Sequence, residues 1–196
     1  MPIRTTINGV LYTHIYLWEA CTIQYQHLTE TDKGTIFYEI STCILAHCAL
    51  EAYINFVGEI ILPEIWEQED KPPFLSIHKK IQKIIQKSKI SLNKRERPYQ
   101  TIVQLTKIRN FLAHAKIDKY EINIEHDESE PPNMFHSKLY NEILPEGIVA
   151  KVIEDVESFC NIIHAACKPN ANRPLNGQTA FGGLPEHAFS DSLSST

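Results

Sequence analysis

The sequence predicts a single, soluble, all-helical domain, and three observations lead to this fold class. The length of 196 residues corresponds to about one domain. Hydrophobic residues make up 43% and charged residues 22%, which supplies a core and excludes disordered or fibrous classes. Apolar residues recur at three- and four-residue steps in five segments. We therefore predict a bundle of about five helices over residues 1–167, followed by a flexible C-terminal tail over residues 168–196.

Two helices are predicted in the first third of the chain. Residues 12–28 form the first, with Ile15 and Trp18 on its apolar side. Residues 35–61 form the strongest helical segment, and its apolar side chains spread around much of the helix. Such a pattern is typical of a helix at the centre of a core, or of one that also packs against a partner. Pro63 marks the end of this helix.

Three further helices are predicted over residues 74–90, 98–116 and 147–167. The middle one begins at Pro98, since proline suits a first helical turn. Residues 117–145 are less regular, and the alternating segment 120–124 could form a short strand. The tail over residues 168–196 is rich in Pro, Gly, Asn and Ser, which favours mobility, although its apolar residues could dock somewhere. These residues are Phe181, Leu184 and Phe189.

Composition also bears on location and on metal binding. No stretch approaches the roughly 18 uncharged apolar residues of a membrane span, and the N-terminus lacks the basic and apolar segments of a secretory signal. Five cysteines without a signal fit the reducing cytoplasm. The pairs Cys43 and Cys48, and Cys160 and Cys167, lack the short C-x2-C spacing of zinc sites. We expect a cytoplasmic protein with core thiols and no metal.

The net charge of −5 argues against a protein that coats nucleic acid by bulk attraction, but one segment is strongly basic. Residues 78–97 contain eight Lys and Arg residues against a single acid, Glu96. A solvated helix face is one explanation, and contact with RNA phosphates is the other. The predicted RNA-binding residues, including two from the next helix, are Lys79, Lys80, Lys83, Lys87, Lys107 and Lys116.

The residues that carry chemistry lie near the end of the predicted helix over residues 98–116. At about 100° per residue, His114 and Asn110 point away from the apolar face of that helix, and the long side chain of Arg109 reaches round to them. Arginine offers a fork of donors to a phosphate, and histidine moves protons near neutral pH. The group suits phosphodiester cleavage without metal, for which the 2′-hydroxyl of RNA is an internal nucleophile. A solvated helix end is the plain alternative.

Two segments resemble one known superfamily. The segment at residues 107–116 resembles the R-x4-6-H motif of the HEPN superfamily (higher eukaryotes and prokaryotes nucleotide-binding domains), in which a polar residue often follows the arginine, as Asn110 does here. The segment at residues 46–55 is similar to the long second helix of many HEPN proteins, which often reads A-L-E-A-x-I-N. The resemblance covers roughly residues 10–167.

This resemblance implies an all-helical, homodimeric endoribonuclease with a composite site at the dimer interface and no cofactor. Arg109 would contact the scissile phosphate, His114 would act as acid or base, and Asn110 would orient them. Glu51 and Asn55 would buttress Arg109. The product would carry a 2′,3′-cyclic phosphate. Such proteins commonly serve in toxin–antitoxin or antiphage defence systems, so an antitoxin or defence-system partner is expected besides the RNA substrate.

One feature of the sequence departs from the HEPN pattern, and two other interpretations of its function stay open. HEPN toxins that a nucleotidyltransferase inactivates have a tyrosine shortly after the histidine, whereas here the next one is Tyr120, six positions on. This puts that mode of control in doubt. One alternative is a non-catalytic HEPN module that binds a partner protein or a nucleotide. Another is a helical scaffold without a HEPN relationship, in which the two matching segments would not face one another.

Overall fold

The computed structural model of the protein describes residues 11–31, 33–68, 71–72, 74–114, 142–168, 175 and 177–182. Within these ranges the chain is all-helical, with six α-helices and no strand. The helices are α1 (Thr13–Glu30), α2 (Thr35–Ile61), α3 (Pro63–Trp66), α4 (Ile77–Ser88), α5 (Tyr99–His114) and α6 (Ile148–Cys167). The prediction of an all-helical bundle is confirmed. The possible strand at residues 120–124 lies outside the described residues.

The helix boundaries agree closely with the sequence pattern, except at α3. The bounds of α2 are those predicted, and the other long helices differ by a few residues at their ends. The short helix α3 was not predicted, because Pro63 was interpreted only as the end of α2. Proline both stops one helix and suits the first turn of the next, and here it does both. The turn brings Trp66 against α2, where the indole is buried.

The central element is α2, which contacts all five other helices. Its residues Leu50, Tyr53, Ile54 and Val57 are fully buried in one continuous core. By length and composition α2 is also the one described helix that is long and apolar enough to cross a membrane, and half of its most apolar window is buried in the bundle. Packing between the other helices accounts for this apolar composition without a membrane.

A polar network fixes the start of α5 to α6. Arg97 Nε donates to Asp155 Oδ2 at 2.6 Å, and Arg97 Nη2 donates to Asp155 Oδ1 at 3.0 Å and Glu154 Oε2 at 2.7 Å. The Thr101 hydroxyl donates to the same buried Asp155 carboxylate. These hydrogen bonds raise the pKa of Arg97. Arg97 belongs to the basic segment of the sequence, but its guanidinium is occupied by the two carboxylates of α6.

Part of the predicted tail packs on the bundle. Phe181 stacks on Trp18, with ring centroids 4.4 Å apart and planes 10° from parallel. The backbone N–H of Ala180 donates to Asn161 Oδ1 of α6 at 2.9 Å, and the side chain of Leu175 is buried. Gly177 has φ +78°, in the left-handed region that favours glycine. Docking of Phe181, the alternative to a mobile tail, is thus what the structure shows, and the packed chain continues to residue 182.

We expect Phe181→Ala to lower the free energy of unfolding by about 2 kcal/mol, because the ring is partly buried against Trp18. Thermal unfolding followed by circular dichroism measures this loss. The matched control is Phe74→Ala, because Phe74 is 68% exposed and its removal should change stability by less than about 0.5 kcal/mol. Equal stability of the two variants would contradict the docking of the segment.

Candidate functional site

The motif residues lie in the last two turns of α5. Arg109 Nη1 donates to Asn110 Oδ1 at 3.1 Å, and this bond orients the guanidinium along the helix surface. Arg109 is half-buried, whereas Asn110 and His114 are exposed. His114 follows Asn110 by one helical turn, on the same side of α5. Asn110 and His114 therefore share one accessible patch near the C-terminal end of the helix, and the hydrogen bond to Asn110 places Arg109 at its edge.

The charge of Arg109 is not neutralised by a carboxylate within the described part of the chain. Its one hydrogen bond there is to the neutral Asn110 amide, and no Asp or Glu among those residues lies within 4 Å. Arg97, by contrast, forms ion pairs with the carboxylates of Glu154 and Asp155. A half-buried arginine without an ion-pair partner can meet an anionic ligand at little cost, since no existing ion pair has to be broken.

Arg109 faces the middle of α2. Burial raises the pKa of Cys48, Glu51 raises it further, and the positive charge of Arg109 lowers it. Both charged groups thus lie close to the same thiol. Glu51, with 38% of its side chain exposed, makes no ion pair with Arg109 at 4 Å or less, so the predicted direct buttress is not formed. α2 and α5 contact each other, so the segment at residues 46–55 and the described part of the segment at residues 107–116 lie on adjoining helices.

Asn55, the other predicted buttress of Arg109, is engaged elsewhere. Its Oδ1 accepts hydrogen bonds from Lys80 Nζ at 2.8 Å and from Trp66 Nε1 at 3.4 Å. These contacts tie α2 to α4 and α3. Among the described residues, the hydrogen bonds of Asn55 go to α3 and α4 and none goes to Arg109. Its role is to join helices, and the expectation that it supports Arg109 is corrected.

The predicted RNA-binding lysines divide into exposed and buried members. Lys79 and Lys87 are exposed and Lys83 is half-buried, and their four-residue spacing forms a stripe along α4. Lys107 is exposed on α5. Lys80 is only 6% exposed and bonded to Asn55, so its assignment to an RNA surface is corrected. Lys116 lies outside the described residues.

His47 of α2 is a buried residue that the sequence motifs do not single out. Neither Nδ1 nor Nε2 has a hydrogen-bond partner within the described part of the chain, although the side chain is only 3% exposed. The nearest carboxylate oxygen is Glu51 Oε2, 3.8 Å from Nδ1. Burial, then the charges of Arg109 and His78, lower the His47 pKa to about 4. The sequence offers one indication of a role for His47. The residue lies one turn before Glu51, in the segment at residues 46–55 that resembles HEPN proteins.

The site has no evident metal ligands in the part of the chain that the structure describes. That part contains no group of three or more His, Cys, Asp or Glu side chains that could hold an ion. All five cysteines are free. Cys21, Cys43, Cys160 and Cys167 are buried, which confirms them as core thiols, whereas Cys48 is partly exposed beside Arg109. The chemistry of the patch is accordingly that of guanidinium, amide and imidazole groups.

Comparisons with known proteins add no relative: no family model, no curated protein and no solved structure matches this chain.

Proposed function

We propose that the protein is a metal-independent endoribonuclease of the HEPN type. The observation that carries the proposal is the patch on α5, where Arg109 has no carboxylate partner among the described residues, is oriented by Asn110 and lies near the exposed His114. An oriented guanidinium binds phosphate oxygens through two parallel hydrogen bonds. The exposed imidazole of His114, one turn beyond Asn110, supplies proton transfer. These are the two requirements of RNA cleavage by its own 2′-hydroxyl.

In the proposed reaction the 2′-oxygen attacks the adjacent phosphorus and its proton passes to a base. Arg109 stabilises the negative charge that builds on the non-bridging oxygens. The bond from phosphorus to the 5′-oxygen breaks, and an acid protonates that oxygen. The products are a 2′,3′-cyclic phosphate and a 5′-hydroxyl. His114 serves in proton transfer, and a homodimer would supply a second imidazole, one for each of the two transfers.

The surface next to the site supports a homodimer. Along α2, Phe37, Ile40, Ile44 and Cys48 follow one another at three- and four-residue steps and so share a face that leads to the Arg109 patch. Phe37 is 73% exposed, and the other three are partly exposed. Apolar side chains left open on the central helix are typical of a surface that a partner covers.

The lysine stripe of α4 would hold the flanking phosphates of a cytoplasmic RNA substrate, with Lys107 closer to the cut. The resemblance to HEPN proteins implies a place in a toxin–antitoxin or antiphage defence system, with a regulatory partner protein.

The test is cleavage of total cellular RNA by the purified protein in EDTA, with wild type beside His114→Ala. The wild-type protein should produce 2′,3′-cyclic phosphate ends, and the variant should cut at least about 100-fold more slowly. The matched control is His27→Ala, which removes another exposed histidine, on α1, and should cut normally. An inactive wild-type protein, or a fully active His114→Ala, would refute the proposal and favour the non-catalytic binding module.

A further inference from the structure

The feature that calls for explanation is the buried, unpartnered imidazole of His47. Its two ring nitrogens are inaccessible and make no hydrogen bond. A buried polar group without a partner lowers stability. Thr42, Tyr53 and His164 also have buried polar atoms without a partner in the described part of the chain, so it is the surroundings of His47 that distinguish it.

The surroundings of His47 connect it to the proposed catalytic patch. Glu51 Oε2, one turn along α2, is 3.8 Å from its Nδ1, slightly beyond hydrogen-bond distance. Arg109 of α5 and His78 of α4 both act on it electrostatically, and Cys48 is its neighbour in α2. The imidazole is thus enclosed by one negative carboxylate, one fixed positive guanidinium and a second histidine.

We propose that His47 is a positioning residue of this site, whose Nδ1–H donates to Glu51 and holds the carboxylate beside Arg109. This inference rests on the proposed function. Glu51 is 38% exposed, so a change in its side-chain torsions can close the gap of 3.8 Å. The carboxylate, which makes no ion pair with Arg109 at 4 Å or less, then acts on the guanidinium through its charge from across Cys48, and Arg109 meets a phosphate in a more fixed orientation.

The low pKa of His47, about 4, suits this role. Burial and the neighbouring positive charges keep the ring neutral near neutral pH. A neutral N–H donor can hold the Glu51 carboxylate without cancelling its charge, which remains available to Arg109. A protonated ring would form an ion pair with Glu51 and also repel the guanidinium.

A purely structural role and a positioning role predict different results for His47→Leu. Removal of an unsatisfied polar group should raise the Tm in either case. A structural histidine would leave catalysis unchanged. A positioning histidine should lower kcat roughly 10-fold, with KM changed less than about two-fold, because the phosphate still binds but is poorly oriented.

The experiment measures kcat and KM for RNA cleavage by His47→Leu, Glu51→Gln and the double variant. Each single variant should lose a similar factor, and the double variant should lose no more than either, because both changes break one contact. His47→Asn keeps an N–H near the position of Nδ1 and should recover most of the loss. The matched control is Thr42→Val, which removes another buried, unpartnered group from α2 and should leave kcat unchanged. A normal kcat in His47→Leu would overturn the inference. So would a double variant whose loss of kcat equals the product of the two single losses.

A second readout does not depend on activity. In NMR spectra the Nδ1–H resonance of His47 should shift in Glu51→Gln, and Arg109→Gln should raise the His47 pKa above about 4, because a nearby positive charge is removed. If the wild-type protein cuts no RNA, the proposed function fails, and these two shifts decide whether the contact exists. The absence of both shifts would overturn the inference whatever the activity.

Discussion

Replacing Arg109 by lysine should lower the rate of RNA cleavage by roughly 100- to 1,000-fold, although the charge is kept. A guanidinium can donate to Asn110 and to two phosphate oxygens at once, because its five donors point in fixed directions. An ammonium is a point charge and cannot reproduce this geometry. The loss should therefore appear mainly in the chemical step.

Single-turnover kinetics with saturating enzyme measure that step directly, separate from product release. The matched control is Arg95→Lys, the same exchange at an exposed arginine before α5, which should cut at the wild-type rate. If Arg109→Lys and Arg95→Lys behaved alike, Arg109 would act only through its charge, and the oriented fork would have no role in catalysis.

Gly58→Ala should lower the free energy of unfolding by about 3 kcal/mol, the largest stability effect that we expect from a single methyl group. A Cβ at this position would overlap the indole ring of Trp66, which is packed on the backbone of α2. Alanine favours a helix over glycine by only about 1 kcal/mol, so the overlap decides the sign. Displacement of Trp66 also breaks its bond to Asn55.

Thermal unfolding gives the loss of stability, and a red shift of tryptophan fluorescence reports exposure of Trp66. The double variant Gly58→Ala, Trp66→Ala provides the control, because no indole is left to collide with. It should be no less stable than Trp66→Ala alone. A stable Gly58→Ala with an unchanged spectrum would show that α3 does not lie against Gly58.

Periodicity was sufficient to predict the long helices, because each buries one stripe against the core and the spacing survives in the sequence. α3 escaped detection since four residues are too short to show a period. The Arg109, Asn110 and His114 cluster was predictable because all three lie within two turns of one helix. The partners of Asn55 and Lys80 were not, since their hydrogen bond joins residues 25 apart and depends on how α2 and α4 meet.

The same limit applies to His47 and Phe181. The helical spacing of α2 could not show that the nitrogens of His47 lack partners, because that depends on every helix around it. A segment rich in Gly and Asn was expected to be mobile from its composition, yet ring contacts of Phe181 and one hydrogen bond from the Ala180 backbone to a side chain of α6 hold these two residues on the bundle. Composition reports an average, whereas docking depends on single residues.

The attachment of α5 at one end has a kinetic consequence. The Arg97–Asp155 network fastens its first turn to α6, while the patch with Asn110 and His114 occupies the opposite, exposed end. Amide hydrogens near residue 102 should therefore exchange with solvent only when the whole bundle opens. Binding at Asn110 and His114 then leaves this fastened turn, and the helices that it joins, intact.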